Sequence, residues 1–393
     1  MLSDREISKL IQPIVDRQER INVLIVQKIA KRVGEIKNLS PSQVYKIENI
    51  LKSGEDLDEI TREMSYLTDV NAKEIETIIY EVAEDNYTDL KSLYDYKKIE
   101  YKQFKHNSLL QDILKALASV ALLKFFSYLN NQVFTIRDLS NPKRLIPMNI
   151  TDTYNSVVDE AYQNLLFPQA FDVNMSRTLH QLANSGTKTL IDGTYIPQTD
   201  SLIKNFLLKL ICDVSQAVHD EVGKQVQADG VELSAHEMSA PDHEPIQGHQ
   251  FTIDEFIKLQ TEQNFENVDG EKFEAIARAI GQYNCRHFTR TIIVGFTKPL
   301  HSKQELQANI ERNHRGYTDS KGKHRTLYEC TQYQRELERK IRQAKLNIIA
   351  GTESRNSFLT DNSRVMLNKY TSIYNLFSKE CGIPAKPENC KVN

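Results

Sequence analysis

Tryptophan is absent from the 393 residues, and with it the indole anchors that membrane proteins place at the headgroup level. Long apolar runs are missing too. The most apolar stretch, 109–129, carries Gln111, Asp112, Lys115 and Lys124. A spanning helix needs roughly 20 mainly apolar residues, so this stretch is expected to be a buried helix and no membrane partner is expected. Charge of one sign is also lacking: 50 basic residues face 53 acidic ones. Whole-chain attraction to nucleic acid is therefore not expected, and DNA contact needs a local patch. The five cysteines (Cys212, Cys285, Cys330, Cys381 and Cys390) are odd in number, widely spaced and without a CxxC pair. That argues against a disulfide framework and fits a reducing compartment. The opening MLSDREISKL has acidic residues and no apolar segment, unlike a secretory signal. There is no GxSxG elbow, P-loop, Rossmann glycine pattern or HExxH pair.

What is present fits a globular chain of two or three domains, with 40% apolar and 26% charged residues. The expected fold class is mainly α with a small α+β unit. The expected divisions are a helical N-terminal module at 1–105, a helical middle region at 106–228, a motif-bearing α+β unit at 229–330, and a charged helix with tail at 331–393.

In the first module Ser3 and Glu6 form a capping box ahead of Ile7, Leu10, Ile11, Ile14, Ile21, Leu24, Ile25 and Ile29, with Pro13 as a kink or a start. Further starts are expected at SPSQ, 40–43, and at Asn71 with Glu74, giving short helices that serve for docking.

In the middle region Asn141, Pro142 and Pro147 interrupt the helical pattern, and Thr151 or Asp152 caps the next helix, with Tyr154, Val157, Val158, Ala161, Tyr162 and Leu165 on its apolar side. Pro168 marks a break, a helix over 174–183 stops at Gly186, and another covers 203–226. Val231, Leu233 and Ala235 alternate as a strand; helices are expected at 253–260 and 271–280, and a second strand at 290–296. A helix over 331–349 carries Tyr333, Leu337, Ile341 and Ile348, with Glu336–Lys340 and Glu338–Arg342 as ion pairs. The tail from Cys381 is expected to be loose.

The chemistry concentrates between 231 and 345. His236, His243, His249 and His287 fall close together, with Cys285 beside the last. Imidazole and thiolate together suit zinc, though the spacing follows no zinc-finger rule. The alternative is that these side chains hydrogen-bond a loop to a small sheet. Cys285 and His287, two apart, share one face of an extended segment. Asp242, His243 and Glu244 with Ser234 and Ser239 raise a hydrolytic alternative, but no motif marks a base and no catalytic residue is assigned. Basic residues recur at Arg286, Arg290, Lys298, Lys303, Arg312, Arg315, Lys321, Lys323, Arg325, Arg335, Arg339, Arg342 and Lys345, with Tyr317, Tyr328 and Tyr333 interleaved. They form either a phosphate-binding face or a solvated helix face offset by Glu329, Glu336 and Glu338.

Three blocks in order, 231–251, 280–299 and 328–345, resemble the phage minor capsid protein family, itself similar to tailed-phage head-morphogenesis proteins. The matching positions are His236, His243, Gln247, Gly248, Asn284, Cys285, Arg286, His287, Gln334, Arg335, Glu338 and Arg339, to which Asp242 is added as a neighbour. Ile246 stands where family members often carry an aromatic residue. The resemblance covers roughly 150–345. It implies a few-copy protein of the phage head, associated with portal or major capsid protein and in some cases with packaged DNA, and not an enzyme. A metal-dependent hydrolase or nuclease carried in the virion is the alternative. No cofactor is implied beyond the zinc weighed above.

Overall fold

The computed structural model describes residues 4–39, 55–137, 144–165, 167–191, 194–196, 198–261, 264–266, 270–276, 279–280, 285 and 287–392. The expected capping box at Ser3, the start at 40–43, and Asn141, Pro142, Asn284 and Arg286 lie outside them. The chain forms two compact units, each drawn from separate stretches: 1–11, 73–123 and 205–332 in the first, and 12–72, 124–204 and 333–393 in the second.

The second unit is built on long helices. Helix α1 (Asp4–Lys37) runs through Pro13 without starting or ending there. Proline removes one backbone bond, and burial of Ile14, Ile21, Ile25, Ile29, Val33 and Ile36 at helical spacing holds the helix through it. Helix α2 (Glu55–Asp89) runs through Asn71, which corrects the expected start there. Asn71 is buried, and its Oδ1 accepts a 2.5 Å hydrogen bond from Arg17 Nε. A buried polar residue mimicked a cap. The apolar stripe of α1 lies in a core with Ile60, Phe134, Tyr154, Leu179 and Leu346, not on a free docking face.

The middle of the chain, expected to be helical, also contains a four-stranded antiparallel sheet. Its strands are β1 (Gln132–Arg137), β2 (Leu145–Met148), β3 (Lys188–Ile191) and β4 (Thr194–Ile196), in the order β2-β1-β3-β4. Val133, Phe134, Thr135 and Ile136 are all buried, so β1 shows no alternation to distinguish it from helix. Pro147 pairs with Thr135 on the edge strand, where a missing N–H costs no ladder bond.

Helix α5 (Ile150–Asn164) is capped by Asn149, whose side chain accepts from Asp152 N at 2.8 Å; neither Thr151 nor Asp152 is the cap. Pro168 opens helix α6 (Pro168–Ser185), as proline can at a first helical position, and Gly186 closes it at φ +55°.

Helix α10 (Leu327–Glu353) is followed by α11 (Ser357–Glu380), which the sequence reading did not anticipate. The tail is packed: Ile383 and Cys390 are buried, and Arg342 Nη1 and Lys345 Nζ donate to the carbonyls of Asn389 and Cys390. Glu336 and Lys340 pair at 2.6 Å as expected. Glu338 instead accepts from Tyr374 OH at 2.9 Å, while Arg342 lies 3.5 Å from both Glu19 and Asp200.

In the first unit, the short helix α3 (Lys91–Lys97) precedes helix α4 (Ser108–Asn130), which was expected to be buried and is only partly so. Leu110, Leu114, Ala118 and Ala121 are covered, but Val120 and Leu123 are 64% and 72% exposed. Helix α7 (Thr199–Val226) lies against a three-stranded antiparallel sheet of β5 (Gly230–Leu233), β6 (Gln250–Thr252) and β9 (Thr289–Ile292), in the order β6-β5-β9. Both expected strands are shorter than read: β5 ends before Ala235, and 294–296 is a turn. Helix α8 (Ile253–Thr261) forms as expected. The helix expected over 271–280 is replaced by β8 (Lys272–Glu274), paired with β7 (Asn264–Glu266). Phe273 packs on Phe251 and Phe265 at ring separations of 5.1 and 5.4 Å, and this aromatic packing overrides local propensity. Helix α9 (Lys303–Arg315) and the hairpin of β10 (Tyr317–Thr318) and β11 (His324–Arg325) complete the unit.

Two predictions concern the second unit. A Cβ on Gly34 would stand 2.6 Å from the Glu353 carbonyl oxygen. Gly34→Ala should therefore destabilise by about 1–3 kcal/mol, although alanine ordinarily favours a helix; a raised melting temperature would contradict this. Burial pushes the Glu19 carboxyl up to about 7, against the pull of Arg342 and with Asp200 and Asp16 adding to the rise. A carboxyl raised above its unfolded value contributes stability that is full below about pH 4.5 and lost as pH rises through about 7. Glu19→Gln should therefore gain in melting temperature relative to wild type between about pH 5 and about pH 8. An offset constant over that window would refute the linkage.

Candidate functional site

Strand β5 and the start of β9 bring the histidine and cysteine segments together. Thr289 N donates to Gln216 Oε1 of α7 at 2.8 Å, and Thr291 N donates to His219 Nδ1 at 3.2 Å. His219 is buried, and burial with the nearby Arg290 charge drives its pKa down to about 3, so the ring stays neutral and accepts. These contacts fix β9 on the helix and place His287 and Cys285 just ahead of it.

The second approach comes from the turn at 240–248. Gly248 N donates to Leu233 O at 2.9 Å, and Leu233 N donates to His249 O at 3.1 Å, folding the turn back onto β5. Gly248 holds φ +75°, a region that side-chain-bearing residues rarely adopt. Ile246 enters a core with Leu233, Phe251, Leu259 and Phe273. Helix α9 clamps the outside: Glu244 accepts from Asn313 Nδ2 at 2.5 Å and His314 Nε2 at 2.7 Å, and Arg312 pairs with Glu237 at 3.2 Å.

The result is a buried cluster. Cys285 Sγ lies 3.6 Å from His243 Nδ1 and 3.7 Å from His287 Nδ1. The exposures of His243, Cys285 and His287 are 0%, 3% and 3%, so all three side chains are buried. Among the described residues, these three form the group whose donor atoms lie near enough, within 4.8 Å, to share one metal ion. His236 stacks on His287 at 4.5 Å between ring centres. Gln247 Oε1 accepts from His236 N at 3.1 Å and faces His287 Nε2 at 3.4 Å, while Asp242 Oδ2 lies 3.7 Å from His243 Nε2.

His249 is not part of the cluster. It faces Glu271 at 3.6 Å; burial lowers its pKa, and Glu271 opposes that shift more than Lys303 reinforces it. Gln334 and Glu338 belong to the other unit. There Gln334 donates to Ser378 Oγ and the Ile383 carbonyl, Glu338 binds Tyr374, and Arg335 and Arg339 are exposed. Ser234 Oγ accepts from Phe288 N and Ser239 Oγ donates to Ala240 O, so both hydroxyls serve the backbone. Several members of the basic series are matched by acids: Arg290 by Glu232, Lys303 by Glu271, Arg312 by Glu237 and Arg325 by Asp319. The sequence reading missed Gln216 and His219, which occupy one face of α7 three residues apart. Their place beside the apolar stripe of Val214, Val218 and Val222 was the available signal; His219 is buried and Gln216 half-buried.

A Cβ on Gly248 would meet Leu306 Cδ2 at 2.5 Å in addition to the backbone strain. Gly248→Ala should destabilise by about 1–3 kcal/mol in chemical denaturation. Leu306→Ala on the same chain should relieve the contact but not the strain; wild-type stability in Gly248→Ala alone would refute the constraint.

A family model described as phage minor capsid protein 2 matches residues 2–375, well beyond the 150–345 span that the sequence motifs cover. No curated protein and no solved structure matches the chain. No helix among the described residues is long and apolar enough to cross a membrane. With that match running through both compact units, the chain belongs to the phage minor capsid protein 2 family and is a bacteriophage structural protein.

Proposed function

We propose that the protein is a few-copy component of a tailed-phage head, held by contact with portal or major capsid protein and acting in head assembly or DNA packaging. The family match over residues 2–375 carries this reading. Two features support a structural role. The His243, Cys285 and His287 side chains are buried, whereas hydrolytic chemistry needs a reachable site with a placed base. The motif residues Gln334 and Glu338 bind other segments of the chain and not solvent. Pairing of many basic residues with acids favours protein over DNA as the main partner.

Mass spectrometry of purified particles should detect the protein at a small fraction of the major capsid signal. Cross-linking should join it to portal or capsid protein, and the association should survive nuclease treatment and raised salt, since phosphate contacts weaken steeply with salt. Presence in lysate with absence from particles would overturn the virion role. Release by nuclease would replace protein contacts with DNA contacts.

A further inference from the structure

The geometry points to a mononuclear zinc site whose protein ligands are His243 Nδ1, Cys285 Sγ and His287 Nδ1, with water in the fourth position. The sulfur stands 3.6 and 3.7 Å from the two nitrogens. A zinc ion about 2.3 Å from sulfur and about 2.0–2.1 Å from nitrogen, with tetrahedral angles, sets the sulfur–nitrogen separation at about 3.6 Å. The two sulfur–nitrogen edges thus already match those of the required tetrahedron, and all three donors lie within 4.8 Å of one another.

A thiol hydrogen bond reaches similar distances, and the surroundings of the imidazoles distinguish the two arrangements. Gln247 Oε1 only accepts, so its contact with His287 Nε2 puts the ring proton there and turns the Nδ1 lone pair toward the sulfur. The Asp242 carboxylate stands 3.7 Å from His243 Nε2, beyond hydrogen-bond reach, and its charge favours a proton on that nitrogen. A zinc ion takes an electron pair from each of the three donors. Carbonyl and carboxylate partners behind metal-bound histidines are the usual outer shell of such centres. A thiolate with two imidazoles selects zinc over magnesium or calcium. Binding takes the thiolate, so the thiol proton is displaced. The ion would join the 240–248 turn, Cys285 and the residue two before β9 at a point beyond the end of β5, where sheet pairing has stopped.

The test uses the full-length protein. Purified from zinc-supplemented medium without chelator, it should carry one zinc per chain by elemental analysis. X-ray absorption should show one sulfur and three nitrogen or oxygen neighbours. Stripped protein refilled with cobalt(II) should develop a thiolate-to-cobalt charge-transfer band, which Cys285→Ser should abolish. Gln247→Leu should weaken zinc binding about 10- to 100-fold, and His249→Ala should leave it unchanged. Circular dichroism reports whether each variant folds; if Cys285→Ser does not, the wild-type absorption spectrum still decides. Folded wild-type protein that neither carries nor takes up zinc would overturn the site. So would a bound ion without a sulfur neighbour, or a folded Cys285→Ser variant with undiminished affinity.

Discussion

Gly248 donates to the Leu233 carbonyl and Leu233 in turn donates to the carbonyl of His249, so the 240–248 turn is folded back onto the end of β5. The α+β region depends on this return. It drives Ile246 into the aromatic core, carries Glu244 beneath Asn313 and His314, and delivers His243 to Cys285 and His287. Only a residue without a side chain fits at position 248, where the backbone is left-handed and Leu306 fills the space a Cβ would take. A tetrapeptide of ordinary appearance, Ile-Gln-Gly-His, is therefore fixed by backbone geometry, core packing and polar contacts at once.

The second unit uses buried polar side chains in a comparable way. On α10, Gln334 and Glu338 bind Ser378 and Tyr374 of α11, while Arg342 and Lys345 bind Asn389 and Cys390 in the segment that follows it. Burying such groups is tolerable because each finds a partner, and removing one partner strands the other. The exposed Arg335 and Arg339 lie on the opposite face. The Gln-Arg-x-x-Glu-Arg motif thus has an inward half that ties the C-terminal segment and an outward half available to solvent. Beside Arg342 of this helix, buried Glu19 contributes stability that falls as pH rises, a loss that the Arg342 charge opposes, whereas the contribution of neutral His219 in the first unit is lost as pH falls from about 6.5 toward about 3.

Much of the helical content and the motif cluster was legible in the sequence. The stripe Tyr154, Val157, Val158 and Ala161, the stop at Gly186, α7 and α8 all follow from period and punctuation, because one buried face imposes a 3.6-residue pattern wherever it occurs. The closeness of Cys285 and His287 followed from their two-residue spacing. Four things did not follow. β1 is buried on both faces and shows no alternation. β8 is held by three phenylalanines from separate segments. Asn71 has the composition of a cap but is a buried acceptor inside a helix. His249 has the same residue type and neighbourhood as the cluster ligands but turns to Glu271.

The sequence by itself determined the class of the protein: mainly α, with a small α+β region and three ordered motif blocks that mark a phage minor capsid protein. Periodicity and residue identity are local properties, and a local reading recovers them. The tertiary structure alone decided which distant segments pack together, so that stretches such as 12–72, 124–204 and 333–393 make one unit. It also decided that His243, 42 residues from Cys285, and not His249, reaches the sulfur. That choice rests on the direction in which a buried turn closes, which is set by partners supplied from elsewhere in the chain and leaves no periodic trace in the segment itself.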